Sequence, residues 1–276
     1  MTRILVTGAT GFVGKQVLRA LNIDGVQLIP VVRTGKEYLV QEEGRIEYVI
    51  STPDMFAEVE STWTDWCKGV DILIHTAWYA EPGKYLRSTK NIDCLVGSLR
   101  MAQGAVQAGV KRIVGIGSCA EYDQKSGFLS VDTVLNPLTP YGAAKAALFL
   151  YLSQWLPTQA VNFVWCRLFY LYGADENENR LVAYLRSQLK MGKPAELTSG
   201  NQIRDFMNVE DAGKKIAEIA LSDRVGPVNI CSGLPITIRQ LAESIADEYG
   251  RRDLIKFDSR PDGFFDPPCV VGIPNC

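Results

Sequence analysis

A single histidine, His75, stands in the 276 residues of this chain. One imidazole excludes histidine-rich metal sites and leaves any histidine-based triad hanging on one residue. CxxC pairs are missing too: the seven cysteines, Cys67, Cys94, Cys119, Cys166, Cys231, Cys269 and Cys276, are odd in number and scattered. That argues against a disulfide framework or a zinc site and suits a reducing cytosol. No stretch approaches the ~18 continuous apolar residues that span a bilayer. The apolar start breaks at Gly8, too early for a signal peptide. Neither sign of charge is in excess: 29 basic residues face 31 acidic ones, a net charge of −2. There is thus no electrostatic footprint for nucleic acid or an anionic membrane. Internal repeats and low-complexity tracts are also absent. The expectation is a cytoplasmic protein without a nucleic-acid or membrane partner.

Hydrophobic residues make up 47% of the chain, enough for a sizeable core. Short β-branched runs alternate with helical patterns. Strands are expected at Ile4 to Thr7, Gln27 to Arg33, Arg45 to Ile50, Asp71 to His75, Lys111 to Gly117 and Val161 to Phe169. Helices are expected from Gly11 to about Leu21, from Tyr85 to Ala108, and from Pro140 to Trp155 with proline at the start. Continuous apolar strands between helices imply a parallel sheet covered on both faces, a doubly wound α/β fold. After about Gly173 the pattern changes. A polar loop, Asp175 to Arg180, precedes helices at Val182 to Met191, Val209 to Leu221 and Ile238 to Tyr249, and the tail is rich in proline and glycine. A Rossmann domain over 1–172, to which 203–230 return, is expected beside a smaller interleaved substrate lobe of 173–202 and 231–276.

Directly after the first strand comes Thr7-Gly8-Ala9-Thr10-Gly11-Phe12-Val13-Gly14, which opens a helix. Gly8 permits the tight turn, Gly11 lets backbone N–H groups approach a pyrophosphate, and Gly14 allows close helix–strand packing. The strand–turn–helix context makes Gly8, Thr10, Gly11, Phe12, Val13 and Gly14 a dinucleotide-binding set. The second strand ends in Arg33, where an NAD site usually places Asp or Glu for the ribose 2′-hydroxyl. Arg33 can hold a 2′-phosphate, which favours NADP(H) and leaves NAD(H) open; the bland alternative is a solvated arginine.

Tyr141-Gly-Ala-Ala-Lys145 puts a phenol and an amine on one helix face. Tyrosine is a poor acid–base at its free pKa of about 10. A neighbouring ammonium is expected to favour the phenolate and lower that pKa, so that Tyr141 exchanges a proton with an alcohol oxygen. Ser118 ends the fifth strand, where open α/β sheets bind ligands.

With these motifs in order, the chain resembles the extended short-chain dehydrogenases/reductases of the nucleotide-sugar epimerase/dehydratase/reductase type. The resemblance covers nearly the whole chain. It rests on Gly8, Gly11 and Gly14, Asp71-Ile-Leu-Ile-His-Thr-Ala77, Asn91, Gly109-Val-Lys-Arg-Ile-Val114, Ser118 to Tyr122, Tyr141 with Lys145, Arg167 with Tyr172-Gly173, and Arg204-Asp205-Phe206 followed by Val209 and Asp211.

The resemblance implies that Tyr141 is the acid–base, that Lys145 binds the nicotinamide ribose and tunes Tyr141, and that Ser118 hydrogen-bonds the sugar oxygen that changes oxidation state. Ala77 joins the cofactor set. Dehydratases of this family carry Asp-Glu directly after that hydroxyl residue. Here Cys119 and Ala120 stand there, and Glu121 is displaced by one and expected to point away. Elimination of water is thereby disfavoured, leaving reduction at C4 or 4-epimerisation. A reductase exchanges its cofactor at each turnover and commonly uses NADPH, so Arg33 favours the reductase. The resulting expectation is NADPH-dependent reduction of the C4 keto group of a nucleotide-diphosphate-linked hexose, a 6-deoxy sugar foremost, in the synthesis of deoxysugar, lipopolysaccharide or other polysaccharide precursors. A 4-epimerase is the alternative. A non-catalytic cofactor-binding protein and a reductase of some other carbonyl are further ones.

For the substrate, Arg204, Arg260, Asn179 and Arg180 match positions that hold the nucleotide diphosphate in relatives; arginine forks two N–H bonds onto phosphate. Trp78 and Tyr79 are candidates to wall the sugar pocket, with Cys119 and Phe169 beside them. No metal is expected. His75 reads as a core residue without a catalytic role. Relatives dimerise through two helices per subunit, here Tyr85–Ala108 and Pro140–Trp155, so a homodimer is expected. Relatives usually continue into a last helix beyond Pro274-Asn275-Cys276, which suggests a compact or truncated C-terminus.

Overall fold

The computed structural model describes residues 1–40, 44–261 and 266–276. In the first half, strands β1 (Thr2–Thr7), β2 (Val26–Arg33), β3 (Ile50–Thr52), β4 (Ile72–His75), β5 (Arg112–Ser118), β6 (Phe128–Leu129), β7 (Asn162–Leu168) and β8 (Tyr170–Tyr172) are interleaved with four helices. These are α1 (Phe12–Ala20), α2 (Glu60–Trp66), α3 (Lys90–Gln107) and α4 (Pro140–Thr158). The second half carries α5 (Leu181–Lys190), β9 (Ala195–Glu196), β10 (Ile203–Asn208), α6 (Val209–Leu221), β11 (Gly226–Ile230), β12 (Pro235–Thr237), α7 (Ile238–Glu248), β13 (Ile255–Lys256) and β14 (Cys269–Gly272).

Seven strands form one all-parallel sheet in the order β11-β7-β5-β4-β1-β2-β3. Side chains alternate between its faces with a period of two, and the sequence supplies apolar groups to both. Ile4, Val6, Ile72, Ile74, Val114 and Ile116 enter one core, against α1 and α6. Leu5, Leu73, Ile113, Phe163 and Trp165 enter the other, against α2, α3 and α4. This is the doubly wound arrangement expected. The crossover between β1 and β4 separates strands that run to opposite sides, and ligands of such sheets bind outside the strand C-termini at that switch.

The smaller lobe packs α5 on α7 around Leu185, Leu189, Ala242 and Ile245. It adds a sheet in the order β12-β10-β14-β6, with β8 alongside β10. The chain enters this lobe, returns through α6 and β11 to the main sheet, and leaves again. Asp205 holds the junction. Its carboxylate accepts from the N–H groups of Ser232, Gly233 and Gly272 at 2.8, 2.8 and 3.2 Å. No helix of the described residues is long and apolar enough to cross a membrane.

Two expected elements differ, and one element was not expected. The third strand does not cover Arg45 to Ile50. Arg45 adopts a positive φ of 64°, only Ile46 bridges to Leu28, and β3 begins at Ile50. The long helix does not start at Tyr85. Tyr85–Arg87 form a separate 3₁₀ turn, and α3 begins at Lys90. The cause is Asn91, whose side-chain amide donates to the carbonyls of Tyr85 and Ser88 at 2.7 and 2.9 Å and locks the turn. Helix α2 has no counterpart in the sequence reading; buried Trp63 seats it against the second core.

Candidate active site

A cleft of about 830 Å³ opens along the C-terminal ends of β1, β2, β4 and β5 and extends to the small lobe. Its floor is the glycine turn. Gly8 has a φ of 67°, in the left-handed region that favours glycine. A Cβ on Gly14 would lie 2.2 Å from the Gly8 carbonyl oxygen, so only glycine lets α1 start this close to β1. Helix α1 has no side-chain cap at Gly11, so its first N–H groups meet the cleft with the positive end of the helix dipole. Gly8, Thr10, Gly11, Phe12, Val13, Gly14 and Ala77 all line this space, with exposed Arg33 at its rim. Lys36, which the motif reading passed over, lies beside Arg33. Residues of this kind fit a dinucleotide: an anion-binding helix end, a cradle without Cβ atoms, and cations at the end of β2.

Further along the same cleft stand Ser118, Tyr141 and Lys145. Ser118 closes β5. Its hydroxyl accepts from the Ala120 N–H at 3.2 Å, and its own N–H donates to the Glu121 carboxylate at 2.7 Å. Tyr141 and Lys145 lie one turn apart on α4, whose N-terminus Thr139 caps by accepting from the Gly142 N–H at 3.1 Å, with Pro140 in the first turn. A Cβ on Gly142 would fall 2.4 Å from the Ala120 carbonyl oxygen, so this glycine lets α4 press against the Ser118 turn.

Electrostatics here depart from one expectation. Tyr141 is not driven toward phenolate. Burial pushes its hydroxyl above the ordinary tyrosine value, the neighbouring Tyr85 adds to this, and a hydrogen bond with Ser118 only partly opposes it. Lys145 is itself buried, which pulls its amine down to about 7, and it donates to the Ile116 carbonyl at 2.6 Å. An amine so desolvated is a weak lever on its neighbour. The resting site thus holds a protonated phenol.

Glu121 faces away from the cleft as expected and is fully buried beneath it. Its carboxylate pairs with Arg167 Nε at 2.7 Å and accepts from Trp165 Nε1 at 3.0 Å. Arg167 donates onward to the Tyr122 hydroxyl at 3.1 Å. Desolvation raises the Glu121 carboxyl, and the Arg167 guanidinium works against that rise. His75 is a core residue: its Nδ1 and Nε2 sit 2.8 Å from the hydroxyls of Thr7 and Ser98. Burial holds its imidazole down at about 3, so it stays neutral.

Among the substrate candidates, Trp78, Cys119 and Phe169 line the cleft, and Arg180 reaches it from the small lobe. Cys119 is buried, which pushes its thiol up to about 12 and leaves it uncharged. Arg204 is buried and lines an adjoining cavity of about 250 Å³ that shares Tyr170, Leu171, Arg180 and Asp266 with the cleft. Its guanidinium pairs with Asp266 and lies over the Tyr170 ring at 5.4 Å. Three candidates fall elsewhere. Asn179 is exposed and lines neither cavity, its N–H turned to Asn177 Oδ1 at 3.0 Å. Arg260 lies outside both, donating to the Tyr184 hydroxyl at 3.3 Å and paired with Glu196 at 3.9 Å. Tyr79 also turns out of the cleft, its hydroxyl donating to Glu81 at 2.8 Å. Tyr85 and Tyr170, which no motif marked, take part instead.

A doubly wound sheet with a glycine cradle at its switch point and a Ser–Tyr–Lys group beside it defines a dinucleotide-dependent α/β enzyme class. The sequence profile of the NAD dependent epimerase/dehydratase family matches residues 4–231. This chain belongs to that family. It is 26% identical over 275 residues to a protein of Aggregatibacter actinomycetemcomitans named dTDP-6-deoxy-L-talose 4-dehydrogenase (NAD(+)), with 98% of each chain covered. Its fold is similar to the UDP-glucose 4-epimerase of Thermotoga maritima solved with UDP-glucose, with a TM-score of 0.84 at 19% identity, covering 99% of this chain and 90% of that one. It is also similar to a dTDP-glucose 4,6-dehydratase of Streptomyces venezuelae solved with NAD, with a TM-score of 0.81 at 22% identity over 99% and 88% of the two chains.

Proposed function

We propose that this protein is a nucleotide-sugar oxidoreductase that reduces the C4 ketone of a nucleoside-diphosphate-linked 6-deoxyhexose, with NADP(H) as its preferred cofactor. The observation that carries the reading is a neutral phenol, Tyr141, beside the hydroxyl of Ser118 in a cleft without a carboxylate at positions 119 and 120. The reaction named for the A. actinomycetemcomitans relative, run in reverse, is of this kind at the sugar, with NAD(+) named as its cofactor.

The bound nicotinamide supplies the hydride. Everything else falls to the chain. Gly8 through Gly14 would hold a pyrophosphate, and Arg33 with Lys36 would meet a 2′-phosphate. Ser118 and Tyr141 bind the C4 oxygen, and Tyr141 gives it a proton as charge develops there. Lys145 would anchor the ribose, and a proton taken from solvent restores the Tyr141 phenolate to the phenol after each turnover. Arg180 and Arg204 receive the diphosphate once it displaces Asp266 from Arg204. Trp78, Tyr85 and Phe169 exclude water from the sugar.

Incubation with NADPH and nucleotide-linked 4-keto-6-deoxy sugars is expected to consume absorbance at the reduced-nicotinamide band, with thermal-shift screening of GDP, UDP, dTDP and CDP to identify the base. Redox-neutral interconversion of a 4-hydroxy sugar would move the assignment to a 4-epimerase. The protein is further proposed to act as a homodimer. Ile92 and Val96 on α3 and Leu150 and Tyr151 on α4 stand 64%, 39%, 54% and 50% exposed on two helices that pack together. Sedimentation at the mass of one subunit would refute the dimer.

A further inference from the structure

The Lys145 amine is buried without a counter-ion in contact. Its one hydrogen bond goes to the Ile116 carbonyl, and among the described residues no carboxylate lies within ion-pair distance. The groups facing it are Glu121 below β5, Cys94 on α3, His75 on β4 and Tyr141 one turn earlier on α4. Glu121 is already committed to Arg167, Cys94 is held as a thiol by burial, and His75 is neutral. An ammonium in such surroundings needs another source of stabilisation.

Two indoles face the amine, that of Trp165 at 5.8 Å and, much nearer, that of Trp78. Lys145 Nζ lies 3.8 Å from the Trp78 ring centroid, well inside the range of a cation–π contact, and tryptophan has the strongest aromatic face for one. The ring cannot turn away. Trp78 Nε1 donates to Asn91 Oδ1 at 2.9 Å, and Asn91 is buried with its amide spent on Tyr85 and Ser88. Phe56 and Tyr141 each meet the ring in a T-shaped contact, with centroids 6.4 Å away at 73° and 81°. We propose that Trp78, clamped by Asn91, is a positioning residue that holds Lys145 in place and stabilises its ammonium through the indole face. The inference extends the catalytic reading of Lys145, yet its physical core stands without any substrate.

The test uses the ligand-free full-length protein carrying lysine labelled with ¹³C at Cε, the Lys145 resonance being identified by its loss in Lys145→Met. The midpoint of its titration is expected to fall from wild type to Trp78→Phe, and further in Trp78→Leu, by about half a unit to one and a half units. The phenylalanine variant keeps most of the packing and serves if the leucine variant fails to fold. Unchanged or raised midpoints in the variants would overturn the proposal. In turnover assays the high-pH limb of kcat is expected to move down by the same interval in Trp78→Phe. A lower kcat with an unmoved limb would make Trp78 a mere wall of the pocket and also overturn it. A shifted midpoint in a protein that turns over no sugar nucleotide would uphold the positioning role and defeat the assignment of function instead.

Discussion

The Glu121 carboxylate sits directly beneath Ser118 and accepts its backbone N–H at 2.7 Å, while Arg167 holds the same carboxylate from the other side. The residue that orients the end of β5 is therefore neither in the cleft nor in contact with its contents. Removing the charge in Glu121→Gln strands a buried guanidinium. The expected cost is about 3–5 kcal/mol of folding stability, read from denaturant unfolding, together with reduced turnover as Ser118 loses its anchor. Wild-type stability in this variant would show that the ion pair contributes nothing.

Tyr141→Phe removes the proposed proton donor and leaves the ring edge-on against Tyr85, whose centroid is 4.8 Å away. Turnover is expected to drop by about 10²–10⁴-fold, the usual worth of a positioned acid, with cofactor affinity unchanged by fluorescence titration. Equal turnover in the variant would remove Tyr141 from the reaction.

Arg33 projects from the end of β2 into solvent at the cleft rim. If it meets a 2′-phosphate, Arg33→Ala forfeits a charged hydrogen bond of about 1.5–3 kcal/mol. The expected result is a rise of roughly 10- to 150-fold in Kd for NADPH and little change for NADH. Tighter binding of NADH than NADPH by the wild type would reject this role.

His75 ties the fold to pH. Its imidazole is held at about 3 in the folded state, against about 6.5 in the unfolded chain. Between these values the unfolded state binds the extra proton, so this residue's contribution is intact above pH 6.5 and falls as the medium becomes more acidic, by about 1.4 kcal/mol per pH unit. His75→Gln lacks this term. The stability gap between wild type and variant is expected to narrow on acidification below about pH 6.5; parallel stability curves would contradict the assignment.

Much of the site was legible because it is local. The glycine turn, the capped start of α4 and the Tyr141–Lys145 spacing are short segments whose backbone dictates where their atoms go. The alternation of Ile4, Leu5 and Val6 between two cores is likewise written in a period of two. Other features depended on partners far along the chain. Tyr85 reaches Tyr141 only because Asn91 breaks the expected helix. Asn179 and Arg260, plausible by position, were carried out of the cleft by their own neighbours.

By itself, then, the sequence determined the parallel sheet, its glycine turn and the grouping of Tyr141 with Lys145, since propensity, periodicity and turn chemistry act over a few residues. Only the tertiary structure decided their protonation, the support of Ser118 by Glu121 and Arg167, and the face that Trp78 offers to Lys145. Those follow from burial and from contacts between distant segments, which no short stretch of sequence encodes.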